Sequence, residues 1–412
     1  MQREGIGSRL EDRLSADDLV RVARYPGPMP GRQPVHTVYL APQDFHAGVV
    51  GEWGVTAITS LEEYGPLPGF DSVVHTDLEQ QVHDKLQAEP IEDLRIDFAQ
   101  GAGSAGLGVR GREADRLVAA AARSVAESIG ERTAPLAIGI RIPSLVAATR
   151  YRAIRTLDVF LDTLLAGGSE PTLPDGFRIT VSNVVSVVQV VGLVEVCEVL
   201  EAHFALPTGR LTFEIEVASP QAVLGPDGAT VAARMLHSAG GRCRSVVFAA
   251  TGYAAALEII RPEDETLVTD HARSVLQVAC AGTGIHLSDG AVTGLPVGGM
   301  GEVRRAWTEH AGLVTRSLRR GFYQGVDRHP AQLPTRFAAT FAFYSDGAAT
   351  AATRLQHYLD GSAAGIMEGS PTAQALAGYL IRGLDCGAVT EETIAQYADV
   401  DRVMLDRLTR RM

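Results

Sequence analysis

Short apolar runs rich in β-branched residues recur along this sequence and alternate with longer segments of helical periodicity. Such runs are typical of buried strands, and apolar residues three and four positions apart predict helices. Eight runs are predicted to be strands: His36–Ala41, Leu94–Phe98, Leu136–Ile142, Phe177–Val181, Leu211–Val217, Ser245–Ala250, Gly284–Leu287 and Phe322–Val326. Helices are predicted at Arg112–Ile129, Arg155–Leu165, Val187–Ala202 and Ala229–Ala239. Eight strands, each followed by a helical segment, predict an α/β protein with one closed (β/α)₈ barrel, because an open doubly wound sheet usually has fewer strands.

The two ends of the chain lie outside this alternation. Residues 1–30 are charged and then rich in Pro and Gly, which favours an arm or loop. Residues 346–412 are expected to form a helical extension, because the Ser370–Pro371 pair and Thr390 with two following glutamates are typical helix starts. We therefore expect an N-terminal arm, a barrel over residues 31–345, and C-terminal helices that pack on the barrel or on a neighbouring subunit.

Charge and hydropathy exclude several classes of protein. The net charge of −12 argues against a nucleic-acid surface, since phosphate binding requires clustered Lys and Arg. The longest apolar run, Val181–Leu200, contains Glu195 and Glu198, so a membrane span is not expected. The N-terminus has no apolar signal-peptide core, and the cytoplasm is therefore the expected location.

Cysteine and lysine usage restrict the chemistry further. The four cysteines are far apart and form no CxxC, so neither a zinc site nor a disulfide framework is indicated. Lys85 is the only lysine, in a polar stretch that suggests an exposed helix end. A Schiff-base mechanism requires a desolvated lysine and is therefore disfavoured.

A glycine-rich motif follows the second predicted strand. The segment Gly101–Gly106 matches G-x-G-x-x-G, which in a dinucleotide site lets the backbone approach a pyrophosphate. The next strand ends at Arg141 and Ile142 rather than at the acidic residue that a ribose would require. A loop at the mouth of the barrel is the favoured interpretation, and no cofactor is expected.

Polar residues at strand ends are the candidate site, because active sites of barrel enzymes lie at the C-terminal ends of the strands. Asp97, Arg141 and His329 have such positions, although ion pairs between loops would explain each of them equally well. Glu214 and Glu216 share one face of the fifth strand with Ala218. Two stacked carboxylates repel unless they are paired, protonated or bound to metal, and an interior arginine is the structural alternative.

Several stretches resemble a known family. HTVYLAPQDF, EDLRIDF, IGIRIPSL, LTFEIEVASPQAVLGPDG and GFYQGVDRHPAQLPTRFAATFAFY, between His36 and Tyr344, are similar to the citrate lyase β-subunit and malyl-CoA lyase group of the HpcH/HpaI aldolase superfamily. The resemblance implies a (β/α)₈ barrel whose C-terminal helices often serve oligomerisation. It also implies carbon–carbon cleavage or formation through a Mg²⁺-stabilised enolate.

The sequence departs from this family at the positions of its metal ligands and of a conserved Pro-Lys pair. The resemblance places the acidic ligands at Ala99, Gln100, Ala218 and Gly252, and the Pro-Lys pair at Ser182 and Asn183. The positions retained are Asp97, Arg141, Tyr253, His329 and Gln332. A divalent cation requires carboxylate oxygens, so no metal is expected.

These observations lead to three hypotheses. The first is a metal-independent, lyase-type enzyme of a repurposed aldolase branch, acting on a small carboxylate- or carbonyl-bearing substrate, in specialised metabolism and as a homo-oligomer. In it Glu216, Tyr253 and His329 transfer protons, and the substrate-binding residues are Arg141, Asp97, Gln100 and Gln332. The second is a Mg²⁺-dependent aldolase with ligands relocated to Glu214 and Glu216. The third is a non-catalytic barrel that binds a metabolite or stabilises a partner.

Overall fold

Eight parallel strands close into one barrel, which confirms the predicted fold class. The computed structural model describes residues 4–70, 77–99, 111–166, 173–259, 267–290, 294–361 and 370–410. The strands are β1 (His36–Leu40), β2 (Asp93–Asp97), β3 (Ala137–Ile142), β4 (Arg178–Val181), β5 (Phe213–Val217), β6 (Cys243–Phe248), β7 (His286–Asp289) and β8 (Gln324–Asp327). Each strand pairs with the next along the chain, and β8 pairs with β1.

The strand positions agree with the sequence pattern, and their ends differ by up to two residues. Leu211 and Phe322, predicted to begin strands, are fully buried just before β5 and β8 begin. Their side chains pack in the core without belonging to the ladder, which explains the longer apolar runs.

Helices surround the barrel in chain order. They are α1 (Glu4–Arg24), α2 (Val49–Tyr64), α3 (Leu78–Ala88), α4 (Arg112–Gly130), α5 (Arg150–Leu165), α6 (Val187–His203), α7 (Pro220–Val223), α8 (Val231–His237), α9 (Ala250–Ala256), α10 (Leu267–Cys280), α11 (Met300–Arg319), α12 (Leu333–Leu359), α13 (Ser370–Cys386), α14 (Glu391–Ala395) and α15 (Arg402–Thr409). Across the ranges described above, none of these helices is both long and apolar enough to cross a membrane.

The two faces of the strands differ in polarity. Residues facing the helices, such as Ile96, Ile140 and Ile215, are apolar and buried. The barrel interior is polar, whereas barrel interiors are usually filled by branched aliphatic side chains. Many buried polar side chains alternate with the apolar set and face inward, among them Thr37, Asp93, Arg95, Thr180, Glu214, Ser245 and Gln324.

Hydrogen bonds across the interior link β2 to β4, which are not neighbours in the sheet, and then β4 to β5. Nε of Arg95 on β2 donates to Oγ1 of Thr180 on β4 (3.1 Å), and that hydroxyl donates to Oε1 of Glu214 on β5 (2.8 Å). Arg95 also forms an ion pair with Asp93. Gly139 on β3 allows the backbone of β4 to approach closely, since a Cβ there would overlap the carbonyl oxygen of Arg178.

A buried ionic cluster closes the barrel where β8 meets β1. The carboxylate of Asp327 accepts from Nε and Nη2 of Arg336 on α12, both at 3.0 Å, and lies 3.1 Å from Nε2 of His310 on α11. Burial acts to raise the pKa of Asp327, but Arg336, His310 and His36 outweigh it and hold that pKa well below its usual range.

The chain ends correct two expectations from the sequence. Residues 4–24, expected to be an arm or loop, form the helix α1, and every side chain from Gly7 to Arg24 is exposed. The turn that Pro and Gly favour comes only after this helix. In addition, the expected boundary between barrel and extension at residue 346 falls inside α12.

Lys85 is not at an exposed helix end. Its side chain is 10% exposed, and Nζ lies 2.7 Å from Oε1 of Glu92 and beside Glu89. Glu92 immediately precedes β2, so the only lysine lies at the N-terminal end of the barrel, opposite the face where barrel enzymes carry out chemistry. The ion pairs with Glu89 and Glu92 explain why a polar stretch places this side chain inside.

Candidate functional site

Three strand ends bring one arginine between two carboxylates. Nε and Nη2 of Arg141 on β3 donate to Oε2 and Oε1 of Glu216 on β5, at 3.0 and 3.1 Å. Nη1 donates to both oxygens of Asp97 on β2, at 2.9 and 3.0 Å. We call these three residues the arginine clamp. It joins two predicted substrate-binding residues to a predicted catalytic one.

The clamp is largely shielded from water. The side chains of Asp97, Arg141 and Glu216 are 3%, 15% and 7% exposed, so the arginine is the most accessible member. Burial opposes the charge of Arg141, but Glu216 and Asp97 outweigh it and its pKa is raised above the ordinary value. With all three groups ionised, the clamp carries one negative charge. It can therefore bind an anion only where a substrate oxygen replaces a carboxylate oxygen.

The sequence offered an interior arginine as one possible partner for Glu216, and Arg141 is that partner. Glu214 lies one layer deeper on the same face of β5 and is fully buried. Its Oε1 accepts from Thr180, whereas its Oε2 has no hydrogen-bond partner among the described residues. The two stacked carboxylates therefore have different surroundings.

Tyr39 on β1 belongs to the same site, although no motif pointed to it. Its ring centroid is 5.5 Å from Cζ of Arg141, within the range of a cation–π contact. Its hydroxyl is buried and has no hydrogen-bond partner in the described part of the chain. Burial, followed by the negative charges of Glu214 and Glu216, raises the pKa of Tyr39 well above its ordinary value. The sequence pattern that could have identified Tyr39 is the alternation of β1, in which Thr37 and Tyr39, two residues apart, both face inward.

His329 and Gln332 lie in one turn after β8, where both side chains bond to the backbone. Nδ1 of His329 accepts from the N–H of Ala331 (3.2 Å), and Oε1 of Gln332 accepts from the N–H groups of Arg328 and His329. An accepting Nδ1 fixes the neutral ring in the Nε2–H form. Burial lowers the pKa of His329. Proton abstraction by Nε2 would therefore require the turn to open.

Tyr253 lies apart from the clamp contacts. It is 4% exposed in α9, and its ring lies 5.2 Å from that of Phe248, which faces the helices. Burial raises the pKa of its phenol. Gln100 and the segment Gly101–Gly106 lie outside the described residues.

Comparison with known proteins places the chain in a family. A family model described as a domain of unknown function (DUF6986) matches residues 14–412. The chain belongs to the DUF6986 family. Among curated proteins, none matches this DUF6986 sequence.

Solved structures share the barrel of this DUF6986 chain. A citrate lyase from Burkholderia xenovorans has a TM-score of 0.56 and 14% identity, over 90% of this chain and 98% of that one. A malate synthase from Haloferax volcanii has a TM-score of 0.50 and 12% identity, over 93% and 99%. These similarities confirm a fold of the citrate lyase type.

Two of the positions that the resemblance assigns to metal ligands, Ala218 and Gly252, meet in the DUF6986 structure. A Cβ built on Gly252 would lie 3.2 Å from Cβ of Ala218, so the two positions after β5 and β6 face one point. Neither side chain offers an oxygen. Within the residues that the structure describes, no group of three or more His, Cys, Asp or Glu side chains could hold a metal ion.

Proposed function

We propose that this protein is a lyase-type enzyme that acts on a small carboxylate- or carbonyl-bearing substrate without a divalent metal. The observation that carries the proposal is the arginine clamp, a buried cation held between two carboxylates at the C-terminal ends of β2, β3 and β5. The reaction class covers cleavage of a carbon–carbon or carbon–heteroatom bond, and the reverse addition or cyclisation. Its setting would be specialised metabolism.

Arg141 would supply the positive charge that the chemistry requires. Breaking a bond next to a carbonyl places negative charge on the carbonyl oxygen, and preorganised N–H donors in a water-poor site stabilise it. Guanidinium N–H groups can also hold a substrate carboxylate by two parallel hydrogen bonds. Asp97 would hold Nη1 of the guanidinium in place, while the Nε and Nη2 edge exchanges Glu216 for the substrate.

Glu216 is the proton carrier that this geometry favours. A substrate oxygen that takes the Nε and Nη2 edge of Arg141 would displace the Glu216 carboxylate, which then lies beside the substrate and can accept a proton. Tyr253 and His329 remain proposed proton carriers at a greater structural cost, because one is enclosed near Phe248 and the other caps a turn. Gln332 would act through the same turn.

The magnesium that the fold family implies does not fit these residues. A Mg²⁺ site requires at least one or two carboxylates, and Ala218 and Gly252 provide none. All four oxygens of Asp97 and Glu216 accept from Arg141. A cation there would have to share those oxygens with a guanidinium.

Two other functions follow from other observations. A Mg²⁺-dependent aldolase with ligands at Glu214 and Glu216 is favoured only by the unpaired Oε2 of Glu214. A non-catalytic barrel that binds a metabolite is compatible with a clamp in which every carboxylate oxygen is already paired. Self-association through the C-terminal helices and a cytoplasmic location remain proposals.

The test combines ligand binding with metal removal. After EDTA treatment and dialysis, a panel of 2-oxo and 3-hydroxy acids is screened by calorimetry and by NMR for bond cleavage, with and without Mg²⁺. Arg141→Lys should weaken binding by roughly 1.5–3 kcal/mol, the range for a charged hydrogen bond. Arg242→Lys is the matched control, since Arg242 forms a buried bidentate pair with Glu201 immediately before β6.

The outcomes separate the three functions. Binding and turnover that are independent of Mg²⁺ and weakened in Arg141→Lys but not in Arg242→Lys would support the proposal. A large gain with Mg²⁺ that disappears in Glu216→Gln would support relocated ligands instead. Tight ligand binding without turnover of any acid in the panel would favour the non-catalytic barrel.

A further inference from the structure

A cavity lies between α5 and α6, beside the ends of β3 and β4. Its volume is about 440 Å³, within the usual size range of small-molecule sites. Six apolar side chains form most of its wall: Ile142, Leu145, Ile154, Leu157, Leu193 and Val196. Nothing in the proposed reaction uses this space.

The cavity has an apolar rim and few polar groups that are free to form hydrogen bonds with a ligand. Val188 and Ile154 are 78% and 39% exposed at its edge. Two of its three polar lining residues are engaged, because Ser186 Oγ accepts from the N–H of Gln189 (3.3 Å) and Oε1 of Gln189 accepts from the N–H of Val185 (2.8 Å). The third, Arg150, is an exposed residue. An apolar ligand group would therefore gain more here than a polar one.

The end of β3 lies between this cavity and the arginine clamp. Arg141 and Ile142 are consecutive on β3, so one faces the barrel interior and the other faces the helices. Their Cα atoms are about 3.8 Å apart. Just beyond them, the loops that follow β3 and β4 meet, and Ser144 Oγ donates to the carbonyl oxygen of Asn183 (3.1 Å). A ligand whose head is on Arg141 would reach the cavity by passing over the end of β3.

We propose that the substrate is amphipathic, with its carboxylate or carbonyl head on Arg141 and an alkyl tail in the cavity between α5 and α6. This inference rests on the proposed function and narrows its substrate class. Short acids of three carbons occupy only the clamp, whereas acids of medium chain length also fill the cavity. Each buried methylene adds roughly a three- to fourfold gain in affinity.

Gly192 provides a clean way to test the cavity. It lines the wall on α6, and a Cβ built there meets no atom within 4 Å, so a leucine side chain would extend into open space. Gly51 on α2 is a matched control, a helical glycine outside this lining whose added Cβ also meets nothing within 4 Å. Leucine improves helix propensity at both positions.

The measurement is calorimetric affinity for straight-chain 2-oxo acids of three to ten carbons. We expect the wild type and Gly51→Leu to bind longer chains more tightly, by at least 30-fold across the series. Gly192→Leu should lose that increase and keep its affinity for pyruvate. Arg141→Lys should weaken all chain lengths by about the same factor.

Failure of the tail site and failure of the proposed function would give different results. An affinity that does not depend on chain length, together with sensitivity to Arg141→Lys, would overturn the tail site and leave the proposed function standing. A chain-length effect that Gly192→Leu removes while Arg141→Lys changes nothing would overturn the link to the clamp and the proposed function. A lower molar mass of Gly192→Leu in light scattering would show that another copy of the chain fills the cavity, which also overturns the proposal.

Discussion

Replacing Arg141 with methionine should destabilise the protein by about 3–5 kcal/mol, the cost of breaking a buried ion pair. The variant removes four hydrogen bonds and leaves Asp97 and Glu216, which are 3% and 7% exposed, as neighbouring unpaired carboxylates. The 15% exposure of Arg141 admits some water to the vacated space, so we expect the lower end of this range. Urea unfolding followed by circular dichroism measures the difference.

A set of charge-removing variants isolates the physical cause. If unpaired charge is the cost, Arg141→Met combined with Asp97→Asn and Glu216→Gln should recover most of the lost stability, because no buried anion remains. Asp97→Asn with Glu216→Gln in the presence of Arg141 is the control. A cost below about 1 kcal/mol for Arg141→Met, or the same cost in the uncharged background, would refute the reasoning.

Three further expectations concern other parts of the barrel. Burial and nearby arginines, including Arg178, lower the pKa of His286 to about 3. As the pH falls, the unfolded chain therefore binds a proton at His286 before the folded protein does, which should cost about 2 kcal/mol of stability by pH 5. In urea titrations the unfolding free energy of His286→Gln should fall less on acidification than that of the wild type, and an equal fall would contradict this expectation. Gly139→Ala should lower the unfolding free energy by at least about 1–3 kcal/mol through overpacking, whereas a neutral result would mean that β4 can shift. Thermal shifts should show Mg²⁺ stabilising Ala218→Glu/Gly252→Asp but not the wild type, and no gain would disprove the assigned ligand positions.

The barrel could be predicted from the sequence because its strands are continuous apolar runs separated by helical patterns. The strand ends then brought Asp97, Arg141 and Glu216 to one face without any knowledge of contacts. Which carboxylate pairs with which cation depends on side-chain directions across the barrel, and the spacing of residues along the chain does not contain that information.

Other features depended on contacts between distant parts of the chain. Lys85 was predicted to be exposed because its neighbours are polar. Its side chain is instead buried by an ion pair with Glu92, seven residues later. Tyr39 is an ordinary strand residue until Arg141 is placed beside its ring. The helix α1 lacks a clear apolar face, so periodicity did not distinguish it from an arm.

The polar interior of the barrel also affects how stability varies with temperature. Exposing roughly 100 Å² of polar instead of apolar surface lowers the heat-capacity change of unfolding by about 70 cal/mol/K. For the seven inward polar side chains named above the reduction is at most about 0.5 kcal/mol/K, or up to about a tenth of the value typical for a chain of 412 residues. The curve of unfolding free energy against temperature is therefore flatter than for a barrel filled with aliphatic side chains, and the protein loses less stability on cooling or heating away from its optimum.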